Sequence, residues 1–304
     1  MLRRGLAGVS ETAADREVAR RVRIALATCV RWPALSQSDA CLARVLEARG
    51  HRVIAAPWNG PFAPFADAAA VVIRSCWDYH DTPDRYRDWL GRLDPARTFN
   101  PPDVIAWNLA KTHVLDLAQR GARIPRTIEA AAEPAAVANA LRTLGIDDGV
   151  MKPLIGASGF GVERVRRGEE ADALMRARAQ KPLDRVLVQE FVDEIEAGEQ
   201  AGVFFDGVFS HGLRRTAAPG EFRINTQYGG RMEAMPIAPG VLEQMRAVLR
   251  LVPERVVYAR VDGVVRSGEF VLMEVEVNEP ALGLDLAQGA AERFADALLR
   301  CCRV

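Results

Sequence analysis

Residues 270–280, FVLMEVEVNEP, constrain the fold of this chain more than any other stretch. Val271, Met273, Val275 and Val277 stand at alternate positions, interleaved with Glu274, Glu276 and Asn278. Successive side chains of a strand point to opposite faces. An extended backbone here therefore makes one apolar face and one face of two carboxylates and an amide. The apolar row needs a core behind it, and the close carboxylates repel unless solvent or a cation relieves them. Taken alone, the strand is compatible with either a solvated face or a cation site.

The remaining sequence can supply that core. The chain has 304 residues, 49% apolar and 26% charged, enough for two or three compact units. Its formal net charge is zero, which gives no electrostatic reason to expect nucleic acid or a membrane surface as partner. No run of about 18 apolar residues reads as a membrane span. Residues 1–21 carry Arg3 and Arg4 but no signal-peptide apolar core, and read as a disordered tail with order beginning near Val22. Five cysteines without CxxC spacing fit a reducing cytoplasm, with no disulfide frame and no zinc site.

VRIALATCV (22–30), HRVIAAPW (51–58) and AAAVVIRS (68–75) read as strands, and CLARVLEARG (41–50) as a helix stopped by Gly50. This pattern predicts a small α/β N-terminal domain with a parallel sheet. RSCWDYHD then follows the carboxyl end of the third strand, where such sheets bind ligands. FNPPDVIAWN (99–108) is a Pro-containing boundary, and Lys111 to Arg120 reads as a helix stopped by Gly121. From residue 150 onward β-like runs dominate, through AGVFFDGVFSHGLRR, RVVYARVDGVV and FVLMEVEV, before the amphipathic helix AAERFADALLR. The expected fold is an α/β domain followed by an α+β body.

Lysine is rare. Of 40 lysines and arginines only Lys111, Lys152 and Lys181 are lysine. A lysine kept against that bias marks a place where a compact ammonium is needed instead of a planar guanidinium. Lys152 precedes a Gly-rich stretch, Gly156-Ala157-Ser158-Gly159-Phe160-Gly161, that is flanked by strand-like runs on both sides. It has neither a Walker ending nor GxGxxG spacing, so it predicts a hairpin loop whose amides can fold over an anion. Lys181 lies in a loop and is read as solvated; the four histidines show no metal spacing and are read as structural or surface.

Set in order, these pieces resemble the ATP-grasp superfamily of carboxylate–amine ligases. The matching motifs are Lys111, Lys152, the loop 156–161, Gln189-Glu190-Phe191-Val192, Arg260-Val261-Asp262 and Glu274-Val275-Glu276. RSCWDY, AWNLAKTHVLDLAQRGARIPRT, GEFRINTQYGG and EVEVNEP are most similar to a narrower group that includes the cyclo-ligase of cycloserine biosynthesis. The resemblance implies an N-terminal domain over 22–108, a central lid domain over 109–187 and a C-terminal domain over 188–304, with ATP between the last two.

It also implies roles. Lys111, Lys152, Arg215 and the loop residues Gly156, Ser158 and Gly159 would hold ATP phosphates. Gln189, Glu190, Phe191 and Val192 would frame adenine, and Glu199 would hold ribose. Asp262, Glu274 and Glu276 would bind Mg2+, as two ions, although the family usually has asparagine where Glu276 stands. Asn278, two residues further on, is a second-tier candidate facing the same site as a substrate contact. Arg260 would stabilise the transferred phosphate and the oxyanion, and Arg223 and Arg74 would hold a substrate carboxylate, Arg223 close to the chemistry. The implied activity is ATP- and Mg2+-dependent C–N bond formation through an acyl phosphate on a small amino-acid-like substrate, with ring closure as one form. A homodimer is the family's habit. A non-catalytic ATP-binding sensor or scaffold is the alternative; it would keep Lys111 and Lys152 but lose the phosphate-handling set. A Rossmann dehydrogenase is opposed by the strand flanks of the Gly-rich loop.

Overall fold

The computed structural model describes residues 22–302, so the tail expected at 1–21 lies outside the described residues. Three sheets follow one another along the chain. The first is wholly parallel, in the order β2-β1-β3-β4, from β1 (Arg23–Thr28), β2 (Arg52–Pro57), β3 (Ala70–Ile73) and β4 (Thr98–Phe99). The sequence run RIALAT is buried almost throughout, as a strand covered on both faces must be. Helix Gln37–Ala48 makes the crossover to β2 and starts where the Ser36 hydroxyl accepts the Asp39 N–H.

The second sheet is antiparallel, β5-β8-β6-β7, from β5 (Thr127–Ala131), β6 (Asp148–Pro153), β7 (Glu163–Arg166) and β8 (Arg185–Glu190). The Gly-rich stretch joins β6 to β7, the hairpin position expected from its flanks. β8 runs through residue 187, so a boundary drawn there divides a strand.

The third sheet, β11-β10-β9-β12-β13, comprises β9 (Glu199–Phe205), β10 (Val208–Thr216), β11 (Arg231–Met235), β12 (Tyr258–Arg266) and β13 (Glu269–Glu276). Its two tight hairpins turn at Asp206-Gly207 and Ser267-Gly268. All four residues have positive φ, so the twist of each turn matches that of its strands.

The first and third sheets share their cores. Val71, Ile73 and Tyr86 pack in one cluster with Val261, Val275 and Val277. On the other side Ile24, Leu26 and Val72 pack with Phe205, Tyr258 and Phe294. The second sheet has a separate core built from Val137, Leu141, Met151, Leu174 and Val188. Two bodies result, one made of the outer sheets and one made of the middle sheet.

Buried polar side chains fasten the outer sheets together. Asn100 bonds the backbones of Val257, Tyr258 and Val277. Asn108 covers the open edge of β13, donating to the Val275 carbonyl at 2.7 Å and accepting the Val277 N–H at 3.0 Å. Arg74, 1% exposed, pairs with Asp39 at 2.8 Å and donates to the Pro280 carbonyl at 2.6 Å. Its guanidinium also lies 5.1 Å from the Tyr258 ring centroid. These contacts consume the fork that the sequence assigned to substrate, so Arg74 joins the two sheets instead. Replacing Arg74 with Met strands a buried carboxylate at Asp39, and urea unfolding is expected to show a loss of about 3–5 kcal/mol. A loss under about 1 kcal/mol would contradict this role.

Candidate active site

The middle sheet and the third sheet enclose a cavity of about 470 Å³, with the loop after β3 closing one end. β13 forms part of its wall, and a bulge determines how. Asp262 pairs with Glu274 but Gly263 pairs with Leu272, which leaves Met273 as an extra residue. Before the bulge Val271 and Met273 lie on the site face, in a cluster with Val192, Ile195 and Val264. After it Glu274 and Glu276 take that face, while Leu272, Val275 and Val277 pack behind in the main core. The strict alternation read from the sequence therefore fails for Val271 and Met273. One extra residue switches the facing of every side chain beyond it. The cavity thus has an apolar half over Met273 and a charged half over Glu274 and Glu276.

Arg260 and Asp262 on β12 face the charged half. Arg260 is 2% exposed and donates to both Asp262 oxygens at 2.8–3.0 Å, to the Glu276 carboxylate at 2.5 Å and to the Ala281 carbonyl at 2.7 Å. These bonds take four of the five guanidinium N–H groups, leaving one on Nη1. Burial opposes its charge, but Asp262 and Glu276 outweigh that and raise its pKa. Arg215 donates to Asp262 at 2.8 Å and to Glu199 at 3.0 Å, which extends the network to β9 and β10. Burial, then Asp262, pushes the Glu199 carboxyl up despite Arg215.

Lys111 donates to Glu274 at 2.5 Å. Burial would raise the Glu274 pKa, but Lys111, His113 and Lys152 hold it down at about 2. Lys111 sits on a turn just before helix His113–Gln119, not inside a helix, and its N–H bonds the Leu154 carbonyl at 2.7 Å. Lys152 donates to Gln189 Oε1 at 2.8 Å, and Gln189 in turn donates to Thr127. Gln189 therefore works as a side-chain support within β8. The Glu190 carboxylate pairs with Arg126 and Arg266, and Phe191 lines the cavity with Arg164 stacked 3.7 Å from its ring centroid. Val192 lines the apolar half.

The Gly-rich loop covers the cavity. Gly156, Ser158 and Gly159 line it, and the Ser158 carbonyl accepts from Gln227. A Cβ at Gly159, where φ is 75°, would lie 2.7 Å from Asn225 Oδ1, so only glycine allows this approach. Phe160 stacks on His80 at 5.4 Å, and Lys181 donates to the His80 and Ile155 carbonyls at 2.6 and 2.7 Å. Lys181 is thus a tie between the loop and the first domain, which corrects its reading as a solvated surface lysine.

Two further expectations change. Asn278 is 2% exposed; its side-chain Oδ1 accepts from the Tyr86 hydroxyl at 2.8 Å and it does not line the cavity. β13 ends at Glu276, so the alternation that would have aimed Asn278 at the site stops one residue short of Val277. Arg223 does line the cavity, but Glu221 holds its fork at 2.7 and 3.0 Å and Tyr228 stacks on it. Sequence reasoning missed Arg231 and Glu279. Both line the cavity, and neither has an opposite charge within ion-pair distance among the described residues. Glu279 follows Asn278 beyond the strand, and no periodic signal marked it. Burial, then Glu276 and Glu274, pushes its carboxyl up to about 8.

A family model for the ATP-grasp domain of prokaryotic glutathione synthetase matches residues 123–282, more than half of the chain. The chain belongs to the ATP-grasp ligases. A second family model, for the N-terminal domain of the D-cycloserine synthetase DcsG, matches residues 24–100. The cycloserine biosynthesis protein DcsG of Streptomyces lavendulae is 29% identical over 259 residues, covering 79% of this chain and 86% of that protein. The crystal structure of a D-cycloserine synthetase DcsG superposes with a TM-score of 0.79 at 24% identity, over 92% of this chain and 99% of that one. The ATP-grasp ligase PsnB, solved with a precursor variant, Mg and ADP, gives a TM-score of 0.63 at 19% identity, over 92% and 98% of the two chains. Among the described residues no helix is long and apolar enough to cross a membrane.

ATP-grasp ligases use ATP with Mg2+, and the carboxylates on β12 and β13 are the groups here that could hold that ion. Asp262 opposes Glu274 across β12 and β13, and Arg260 opposes Glu276, which puts all four side chains on one face. Their carboxylate oxygens are the hard donors that Mg2+ takes. Among the described residues no three acidic, His or Cys side chains converge as a ready cage. Lys111, Arg215 and Arg260 hold the oxygens instead. Glu274 and Glu276 line the cavity; Asp262 lies beneath them, 1% exposed. The chemistry of the set fits the ion.

Burial lowers the Lys152 pKa to about 8 in this ATP-grasp site. Bound phosphates favour the ammonium, so nucleotide binding above pH 8 loads a proton that is already present at pH 7. Calorimetry of ADP binding in buffers of different ionisation heat is expected to show uptake of about half a proton or more at pH 8.5 and little at pH 6.5. Lys152→Met should abolish the difference; equal uptake in both proteins would contradict the assignment.

Proposed function

We propose that this ATP-grasp ligase transfers the γ-phosphoryl group of ATP to a carboxylate of a small amino-acid-like substrate. An amine nitrogen then forms a C–N bond to the activated carbon as phosphate leaves with the C–O electron pair. ADP and phosphate are the by-products, and ring closure within one substrate is included. The observation that carries this reading is the division of one wall. An apolar half at Met273, Ile195 and Val192 suits a base, and a half with Lys111, Lys152, Arg215 and Arg260 suits phosphates.

Phe191 and the 189–192 backbone would frame adenine, and Glu199 would take ribose. Lys111, Lys152, Arg215 and the amides at Gly156, Ser158 and Gly159 would bind the triphosphate. Asp262, Glu274 and Glu276 would hold Mg2+, as two ions, whose chemistry is to neutralise the transferring phosphoryl group. Arg260 keeps one free N–H for charge that develops at the reacting carbon or phosphorus. Arg223 and the unpaired Arg231 are the cations for a substrate carboxylate. The Gly-rich loop, tied down by Gln227, Phe160 and Lys181, would exclude water from the acyl phosphate.

Incubation with ATP, Mg2+ and a panel of amino acids and their derivatives should release phosphate with at least one member. Lys152→Ala and Glu274→Gln should each lower that turnover about a hundredfold or more. Thermal stabilisation by ATP without phosphate release from any member would point instead to a non-catalytic sensor. Full turnover in either variant would remove the assigned roles.

A further inference from the structure

The carboxylates that line the cavity are not equivalent. Glu190, Glu199, Glu274 and Glu276 each have a lysine or arginine within 3.0 Å. Glu279 has none within ion-pair distance among the described residues. Its position is nonetheless fixed firmly. Three successive carbonyls, those of Glu279, Pro280 and Ala281, accept from Trp77 Nε1 at 3.0 Å, Arg74 Nη2 at 2.6 Å and Arg260 Nη1 at 2.7 Å. Two of these donors come from the loop after β3 and one from β12, so the segment cannot turn without breaking these three bonds. A backbone held this tightly presents to the cavity a carboxyl that no lysine or arginine pairs among the described residues; Tyr79 shares a hydrogen bond with it, and without a cation beside it the carboxyl is largely protonated at neutral pH.

Aromatic side chains surround that carboxyl. Trp32, Trp77 and Tyr79 line the same end of the cavity, with the two indoles edge to face at 6.1 Å and Trp32 still 40% exposed. A carboxyl raised by burial and by Glu276 and Glu274, with no cation of the protein beside it, is complementary to a small organic cation, because a bound ammonium both pairs it and favours its ionised form. Another anion would meet Glu274 and Glu276 as well as Glu279, and an uncharged group would not offset the repulsion that keeps Glu279 protonated.

We infer that Glu279, walled by Trp32, Trp77 and Tyr79, is the subsite for a primary ammonium group of the substrate. This deepens the ligase reading and rests on it: the substrate class becomes one that carries an ammonium beside its reacting carboxylate. Glu279 lies three residues beyond Glu276, at the charged half of the wall and away from Met273. The ammonium subsite therefore adjoins the place where the carboxylate would be activated. Selectivity follows, since an N-acylated analogue loses the cation.

Ligand-observed NMR titrations of the full chain with alaninamide and with N-acetylalaninamide test this, with and without ADP and Mg2+. Alaninamide should bind at millimolar concentration and the neutral analogue should not. Glu279→Gln should weaken alaninamide about tenfold or more, the scale of a lost charge-assisted contact. Trp32→Ala, at an exposed position, should weaken it several-fold. ADP affinity should be unchanged in both variants. Equal binding of the N-acetyl compound, or unchanged alaninamide affinity in both variants, would overturn the subsite. Failure of ADP to bind the unmodified protein would instead sink the nucleotide reading, and the titration without ADP would still decide the ammonium subsite.

Discussion

A single buried guanidinium organises the site. Arg260 is almost wholly removed from water, which is tolerable only because Asp262, Glu276 and the Ala281 carbonyl take four of its five N–H groups. Each partner constrains something else. Asp262 also takes Arg215, which reaches Glu199, so the network spans β9, β10, β12 and β13. Ala281 is the last of three carbonyls held by buried donors, which ties the network to the loop after β3. Arg215 and Arg260, proposed to handle phosphate, are therefore also the groups that bind the third sheet to the segment after β13. Their geometry is set before any ligand arrives, and pre-set charge is what makes electrostatic catalysis effective.

The division into two bodies sets the Gly-rich loop of one over the site of the other. The outer sheets share two apolar clusters and the buried amides of Asn100 and Asn108, whereas the middle sheet packs around its own core. Polar and aromatic contacts at Phe160, Lys181 and Gln227, with a small apolar contact at Ile155 and Ala157, carry the Gly-rich loop to the other body. Such contacts cost less to break than a shared core, which suits a cover that must open for exchange and close for chemistry.

Much of this was legible in the sequence because the patterns were local. The parallel βαβ start, the Gly-rich hairpin with Lys152 before it and the run of antiparallel strands follow from spacing and turn residues alone. The scarcity of lysine singled out Lys111 and Lys152, and it also applied to Lys181, whose two carbonyl partners lie far apart in sequence. What was hidden depends on tertiary pairing. The bulge at Met273 exists only because β12 and β13 align unequally, and it sends Met273 to the cavity where alternation had placed it in the core. Arg74 reads as a cleft cation until Asp39 and Pro280, distant in sequence, are seen to enclose it. Asn278 and Glu279 lie past the strand end, where no period predicts direction.

Hydrogen–deuterium exchange with and without Mg2+ and a non-hydrolysable ATP analogue tests the central claim most directly, because it reports where the nucleotide sits. The account predicts slowed exchange in three segments together: 150–162, 220–230 and 260–276. Unchanged exchange in those segments, with protection appearing elsewhere in the chain, would contradict it.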